Sequence, residues 1–189
     1  MRKNVLIMSV VALMAASGGY FSAMVMNSAD GPAGPSPDFA SGPAAKNLVG
    51  QRRPDFTLQD TRGATVSASD FDGQVWLANF WATWCAPCVE EMPMLSLLQK
   101  EFAGDGVKIV GIALDDAQRA SEFAAGLGVG YDVLVGKTDV VLAGRQFGNA
   151  TGLLPFSVLI DDTGLIRWTH LGALHREELV AQIQLLLKP

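Results

Sequence analysis

Residues 75–88 read VWLANFWATWCAPC, and no other stretch constrains the fold of this chain as tightly. Val75 to Ala82 form a nearly continuous apolar and aromatic run, the pattern of a strand buried on both faces. Directly after it, Val89, Met92, Leu95 and Leu98 recur at helical spacing between Ala86 and Phe102, with Pro93 inside the pattern. A proline there removes a backbone donor and is expected to kink the helix. The chain has two cysteines, Cys85 and Cys88, and both fall at the N-terminal end of that helix.

The segments around this unit alternate between strand and helix. PDFTLQD and ATVSASDF, joined by the turn TRG, read as two short strands, so a small hairpin opens the domain. VKIVGIAL at 107–114 is a second buried strand, followed by the acidic turn Asp115–Asp116 and a helix over 117–126. YDVLVG is a short strand and VVLAGRQFG a helical segment. FSVLIDDTGLIRWTHLG reads as two strands around the turn DDTG, and HREELVAQIQLLL as an amphipathic helix. The pattern predicts an α/β domain with a central mixed β-sheet, helices on both faces and an N-terminal hairpin extension.

The N-terminus reads differently. Arg2 and Lys3 precede a run without charge that lasts until Asp30. It is read as an export signal, in one of two forms. A cleaved signal peptide would use Val5 to Ala16 as its apolar region and AAS as its cleavage site. An uncleaved anchor would use Val5 to Met26, long enough for a bilayer core of roughly 30 Å at about 1.5 Å per residue. Basic residues ahead of the run put the remainder of the chain outside the inner membrane. Residues 1–26 are therefore the signal anchor or signal peptide, 27–47 a Gly-, Pro- and Ala-rich tether, and 48–188 the folded domain. The net charge of −5 argues against a nucleic-acid partner.

The cysteine pair admits four uses. A structural staple closing so short a loop would stabilise by only about 2 kcal/mol. Zinc wants about four ligands, and His170 and His175 are remote in sequence. Cu(I) suits two thiolates, with Met92 and Met94 close by, which keeps a copper-handling metallochaperone as the alternative. A reversible dithiol–disulfide couple explains more of the neighbours. At a helix N-terminus the unpaired N–H groups and the macrodipole favour a thiolate. Lowering the Cys85 pKa from about 8.5 to about 7 takes roughly 2 kcal/mol and makes it the nucleophile. Cys88, one turn further in, would resolve the mixed disulfide. Pro87 suits the first turn, and Trp84, just before the thiol, reads as an exposed contact for substrate.

With these residues in view, the chain resembles the thioredoxin superfamily, and in particular its TlpA/ResA/DsbE-type membrane-anchored thiol-disulfide oxidoreductases. The resemblance rests on VWLANFWATWCAPCVEEMP and LLPFSVLIDDTGLIRWTHLG and spans roughly residues 48–188. It implies a thioredoxin-like fold and a cis-proline beside the cysteines, at Pro155. There the missing N–H permits close approach and leaves the preceding Leu154 to pair with an extended substrate. Many relatives have a polar or small residue in place of Leu154. Thioredoxin itself carries a buried acid at the position of Asn79, which cannot titrate, whereas ResA-like relatives implicate an acid at the position of Glu91. The resemblance further implies a periplasm-facing reductant of disulfides in exported proteins, such as apocytochrome c. Its electrons would come from a membrane donor of the CcdA/DsbD kind, and it would need no cofactor beyond its own disulfide. A peroxiredoxin is disfavoured, because Thr83 precedes Cys85 by two residues and no proline lies seven before it.

Overall fold

The computed structural model describes residues 48–188, so the anchor and tether expected over 1–26 and 27–47 lie outside the described residues. The opening hairpin consists of β1 (Thr57–Asp60) and β2 (Thr65–Ser67). The second strand is shorter than the sequence suggests. Ala68–Phe71 turn into a single 3-10 turn, because Ser67 N donates to the Asp70 carboxylate at 2.8 Å and closes a capping box there. Next come β3 (Val75–Trp81), α1 (Ala86–Phe102), β4 (Val107–Leu114) and α2 (Ala117–Gly126). The chain ends with β5 (Asp132–Gly136), α3 (Thr138–Gln146), β6 (Phe156–Ile160), β7 (Ile166–Leu171) and α4 (Arg176–Leu187).

The strands form one sheet in the order β2-β1-β5-β4-β3-β6-β7. Strands β3, β4 and β5 are parallel, and β6, β7 and the opening hairpin join antiparallel. This is the thioredoxin-like α/β fold, with a mixed sheet and helices on both faces. The central position of β3 explains its apolar run. Leu77 and Trp81 point into one half of the core with Met92, Leu95 and Leu98 of α1 and Leu179 and Ile183 of α4. Trp76, Ala78 and Phe80 point into the other, with Val140 of α3, Phe147 and Phe156. Each large apolar side chain buried this way contributes about 1.5–3 kcal/mol of transfer free energy.

Helix α1 runs unbroken from Ala86 to Phe102 through Pro93. Pro93 faces solvent, and Met92 and Leu95 on either side of it are fully buried. Among the described residues no helix is long and apolar enough to cross a membrane.

Candidate active site

Strand β3 delivers the chain to the first cysteine. Past Trp81 the residues Ala82–Cys85 make a turn, closed by Cys85 N donating to Ala82 O at 3.1 Å. Cys85 then caps α1, and Val89 N donates to its carbonyl at 3.1 Å. Pro87 lies in the first helical turn, where its missing N–H leaves no orphan donor. That turn carries no acid, so the positive end of the helix dipole is left for the sulfur that stands there.

Cys85 and Cys88 are joined in a disulfide with Cα atoms 5.3 Å apart. The two cysteines are unequal: Cys85 as a residue keeps 6% of its surface in solvent and Cys88 none. Trp84 is 67% exposed, and Ala86 and Pro87 beside it are also exposed. The disulfide lines neither of two surface grooves, one around Lys108 and Asp132 and one around Asp116 and Lys137.

Pro155 follows a cis peptide bond from Leu154. Strand β6 begins just after it and pairs antiparallel with β3, Phe156 opposite Phe80. Continuing that register sets Pro155 beside Trp81 and Leu154 beside Ala82, at the entry to the cysteine turn. Pro155 O accepts from Gly172 N at 2.9 Å, whereas the Leu154 main chain makes no hydrogen bond among the described residues. Its side chain packs partly into both halves of the core.

Glu91 and Glu90 part company on α1: Glu90 is exposed and Glu91 is 4% exposed. Asn79 Nδ2 donates to Glu91 Oε1 at 2.7 Å, and Leu174 N donates to Glu91 Oε2 at 2.7 Å. Burial raises the Glu91 pKa above the usual carboxylate range, against the pull of these two hydrogen bonds. Tyr131 is pushed up as well, chiefly by burial and then by the negative charge of Glu91. Although it stands near the start of α1, Glu91 is thus a buried carboxylate and not a solvated helix-start acid.

Asn79 and Ser157 form a pair that the sequence did not reveal. Asn79 Nδ2 also donates to Ser157 Oγ at 3.0 Å, and register sets Asn79, Ser157 and His170 in one row across β3, β6 and β7. A lone Asn in an otherwise apolar strand was the only signal. The methionines of the copper reading are engaged in packing: Met92 is fully buried and Met94 packs against the same cluster.

Residues 49–169 match the AhpC/TSA family. The chain belongs to that family. Among curated relatives, the thioredoxin-like protein YneN of Bacillus subtilis is 32% identical over 139 residues, covering 72% of this chain and 79% of YneN. The thiol-disulfide oxidoreductase ResA of Geobacillus kaustophilus is 31% identical over 137 residues, covering 72% of this chain and 76% of ResA. Among solved structures, one assigned as the thiol:disulfide interchange protein DsbE of Chlorobium tepidum is 30% identical with a TM-score of 0.68. It covers 74% of this chain and 98% of its own. This AhpC/TSA-family chain is a thiol-disulfide oxidoreductase of ResA/DsbE type, and Cys85 and Cys88 are its CxxC pair.

Proposed function

We propose that the chain is a periplasm-facing reductant of disulfides in exported proteins, apocytochrome c among them, held at the inner membrane by its N-terminal segment. The observation that carries this reading is the asymmetry of the pair, with Cys85 at the rim of a helix N-terminus and Cys88 enclosed on the same helix as Glu91. In the reduced protein the Cys85 thiolate attacks one sulfur of a client disulfide. A mixed disulfide forms, and the client's other sulfur leaves as a thiolate and takes a proton. Glu91 then accepts the proton of the Cys88 thiol, and the Cys88 sulfur attacks Cys85 and releases the client's second thiol. Two electrons have passed to the client and the chain is left as the disulfide. A membrane donor of the CcdA/DsbD kind would restore the dithiol, with no further cofactor.

In this scheme Trp84 and Pro87 supply the contact surface, and Leu154 offers its unpaired main chain to an extended client segment beside Pro155. The raised pKa of Glu91 suits it to exchange a proton with a thiol, whose own pKa is about 8.5. The test is the reduction potential of the full chain in detergent, measured together with a Cu(I) titration of the reduced form. A potential near or below about −250 mV with weak copper binding supports the reductant. A potential near −120 mV makes it an oxidant. Tight stoichiometric Cu(I) binding makes it a metallochaperone.

A further inference from the structure

Trp84 is 67% exposed and makes no hydrogen bond or ring contact among the described residues. With two thirds of its surface in water, its placement depends heavily on the turn that carries it. Thr83, its neighbour in that turn, is held from outside. Thr83 Oγ1 donates to Asp115 Oδ2 at 2.5 Å, and Thr83 N donates to the same oxygen at 3.4 Å.

Asp115 is itself fixed. It succeeds the last residue of β4, its N donates to Gly136 O at 3.0 Å, and its Oδ1 accepts from Asp116 N at 3.1 Å. Arg119 Nε stands 3.6 Å from Oδ1, one helical turn along α2. The carboxylate side chain is only 6% exposed, and such a group is costly to bury unless its oxygens find donors. Hydroxyl-to-carboxylate hydrogen bonds are among the stronger ones, roughly twice a neutral pair. This carboxylate directs one of its two oxygens at the residue before Trp84, two before Cys85.

We propose that Thr83 and Asp115 are positioning residues for polypeptide substrates. Their hydrogen bonds set the Ala82–Cys85 turn so that the Trp84 indole stands beside the Cys85 sulfur as a docking platform, while the sulfur exchange proceeds without them. The proposal rests on the reading that the chain acts on disulfides in polypeptides. A small disulfide needs only access to Cys85, so it does not feel the platform; a polypeptide must lie across it.

The test uses the full chain in detergent, turning over with dithiothreitol as the reductant that restores its dithiol and with the uncatalysed rate subtracted; insulin is the polypeptide disulfide and hydroxyethyl disulfide the small one. For Thr83→Val the KM for insulin is expected to rise about tenfold, the factor that 1.4 kcal/mol represents, with kcat and the rate on hydroxyethyl disulfide little changed. Thr83→Ser, which keeps the hydroxyl, is expected to restore the native KM. Asp115→Asn should show the same split in weaker form, and carries the comparison if Thr83→Val does not fold. Equal losses on both disulfides, an unchanged insulin KM, or a Thr83→Ser variant as impaired as Thr83→Val would each overturn the proposal. If the unsubstituted chain reduces hydroxyethyl disulfide but not insulin, the polypeptide reading falls first and takes this inference with it.

Discussion

A carboxylate with 4% of its surface left in water has lost most of its hydration, and at Glu91 the Asn79 amide and the Leu174 N–H replace only part of it. The raised pKa sets the sign of the consequence for stability. A group that holds its proton more tightly in the folded state contributes stability fully below its unfolded value, about 4.5 here, and loses it as pH rises through the folded value. Glu91→Gln removes that loss, and the Asn79 amide can turn to face the new amide. Urea unfolding of the oxidised proteins between pH 4 and pH 8 should show the native chain losing about 1.4 kcal/mol, relative to the variant, for each unit by which the pKa is raised. An identical pH dependence in both proteins would mean that Glu91 is no more perturbed than a surface acid. The inequality of the two cysteines gives a second prediction. Cys88→Ser should accumulate a mixed disulfide with an oxidised client through Cys85, whereas Cys85→Ser should leave only the enclosed Cys88 and trap little; non-reducing gels read the difference. In the sequence the cysteines were plain because only two residues separate them. The environment of Glu91 was not, because its second donor, Leu174, lies 83 residues away and no local pattern encodes it. Thr83 and Asp115, 32 residues apart, were hidden for the same reason.

Elements buried on both faces announce themselves in a sequence, and elements at an edge do not. Strands β3 and β4 were legible because every residue from Val75 to Trp81 is buried and only Lys108 and Leu114 of β4 are partly open. The end of the opening hairpin reads as strand because Ala68 and Phe71 are apolar and buried, while the deciding contact is a side-chain cap from Asp70. Gly111 shows what the central pair of strands demands beyond hydrophobicity. It lies opposite Asn79 in the β3–β4 register, and a Cβ built on it would come within 2.9 Å of Trp81 Nε1 and 3.0 Å of Tyr131 Cε2. Both rings are buried and neither is the free end of a flexible chain. Gly111→Ala should therefore destabilise by about 1–3 kcal/mol through overpacking, read as a lower denaturant midpoint at unchanged slope. A neutral or stabilising outcome would show that the two rings can yield, and that a glycine is not required there.

Across the whole domain the two ends of the sheet carry separate tasks. The cysteine turn leaves the C-terminal end of β3, and the other end is closed by the first residues of the domain. Gly50 N donates to Ile166 O at 2.7 Å, Ile166 N to Gln51 O at 2.9 Å and Arg53 N to Gly164 O at 2.9 Å, so residues 50–53 lie along the β6–β7 turn. From there the chain reaches β1 near the opposite edge, with Phe56 packed against Trp76 and Phe147 on the way. Arg53 fastens this strap. Its side chain is 5% exposed, and it donates to Asp72 Oδ1 through Nη2 at 2.7 Å and through Nε at 3.1 Å, and to Asp55 Oδ1 through Nη1 at 2.6 Å. Both acids are well exposed, so water takes over when the guanidinium is removed and they are not left as buried unpaired charges. The loss on Arg53→Ala is then that of the buried side chain's packing and its charge-assisted hydrogen bonds, about 1–3 kcal/mol. Because the strap and the disulfide sit at opposite ends of β3, that loss should leave the Cys85–Cys88 reduction potential where it was. Thermal unfolding and a redox titration on the same preparation check both halves. A potential that moves with the melting temperature would show that the strap is coupled to the site through the sheet, and that the two ends do not act independently.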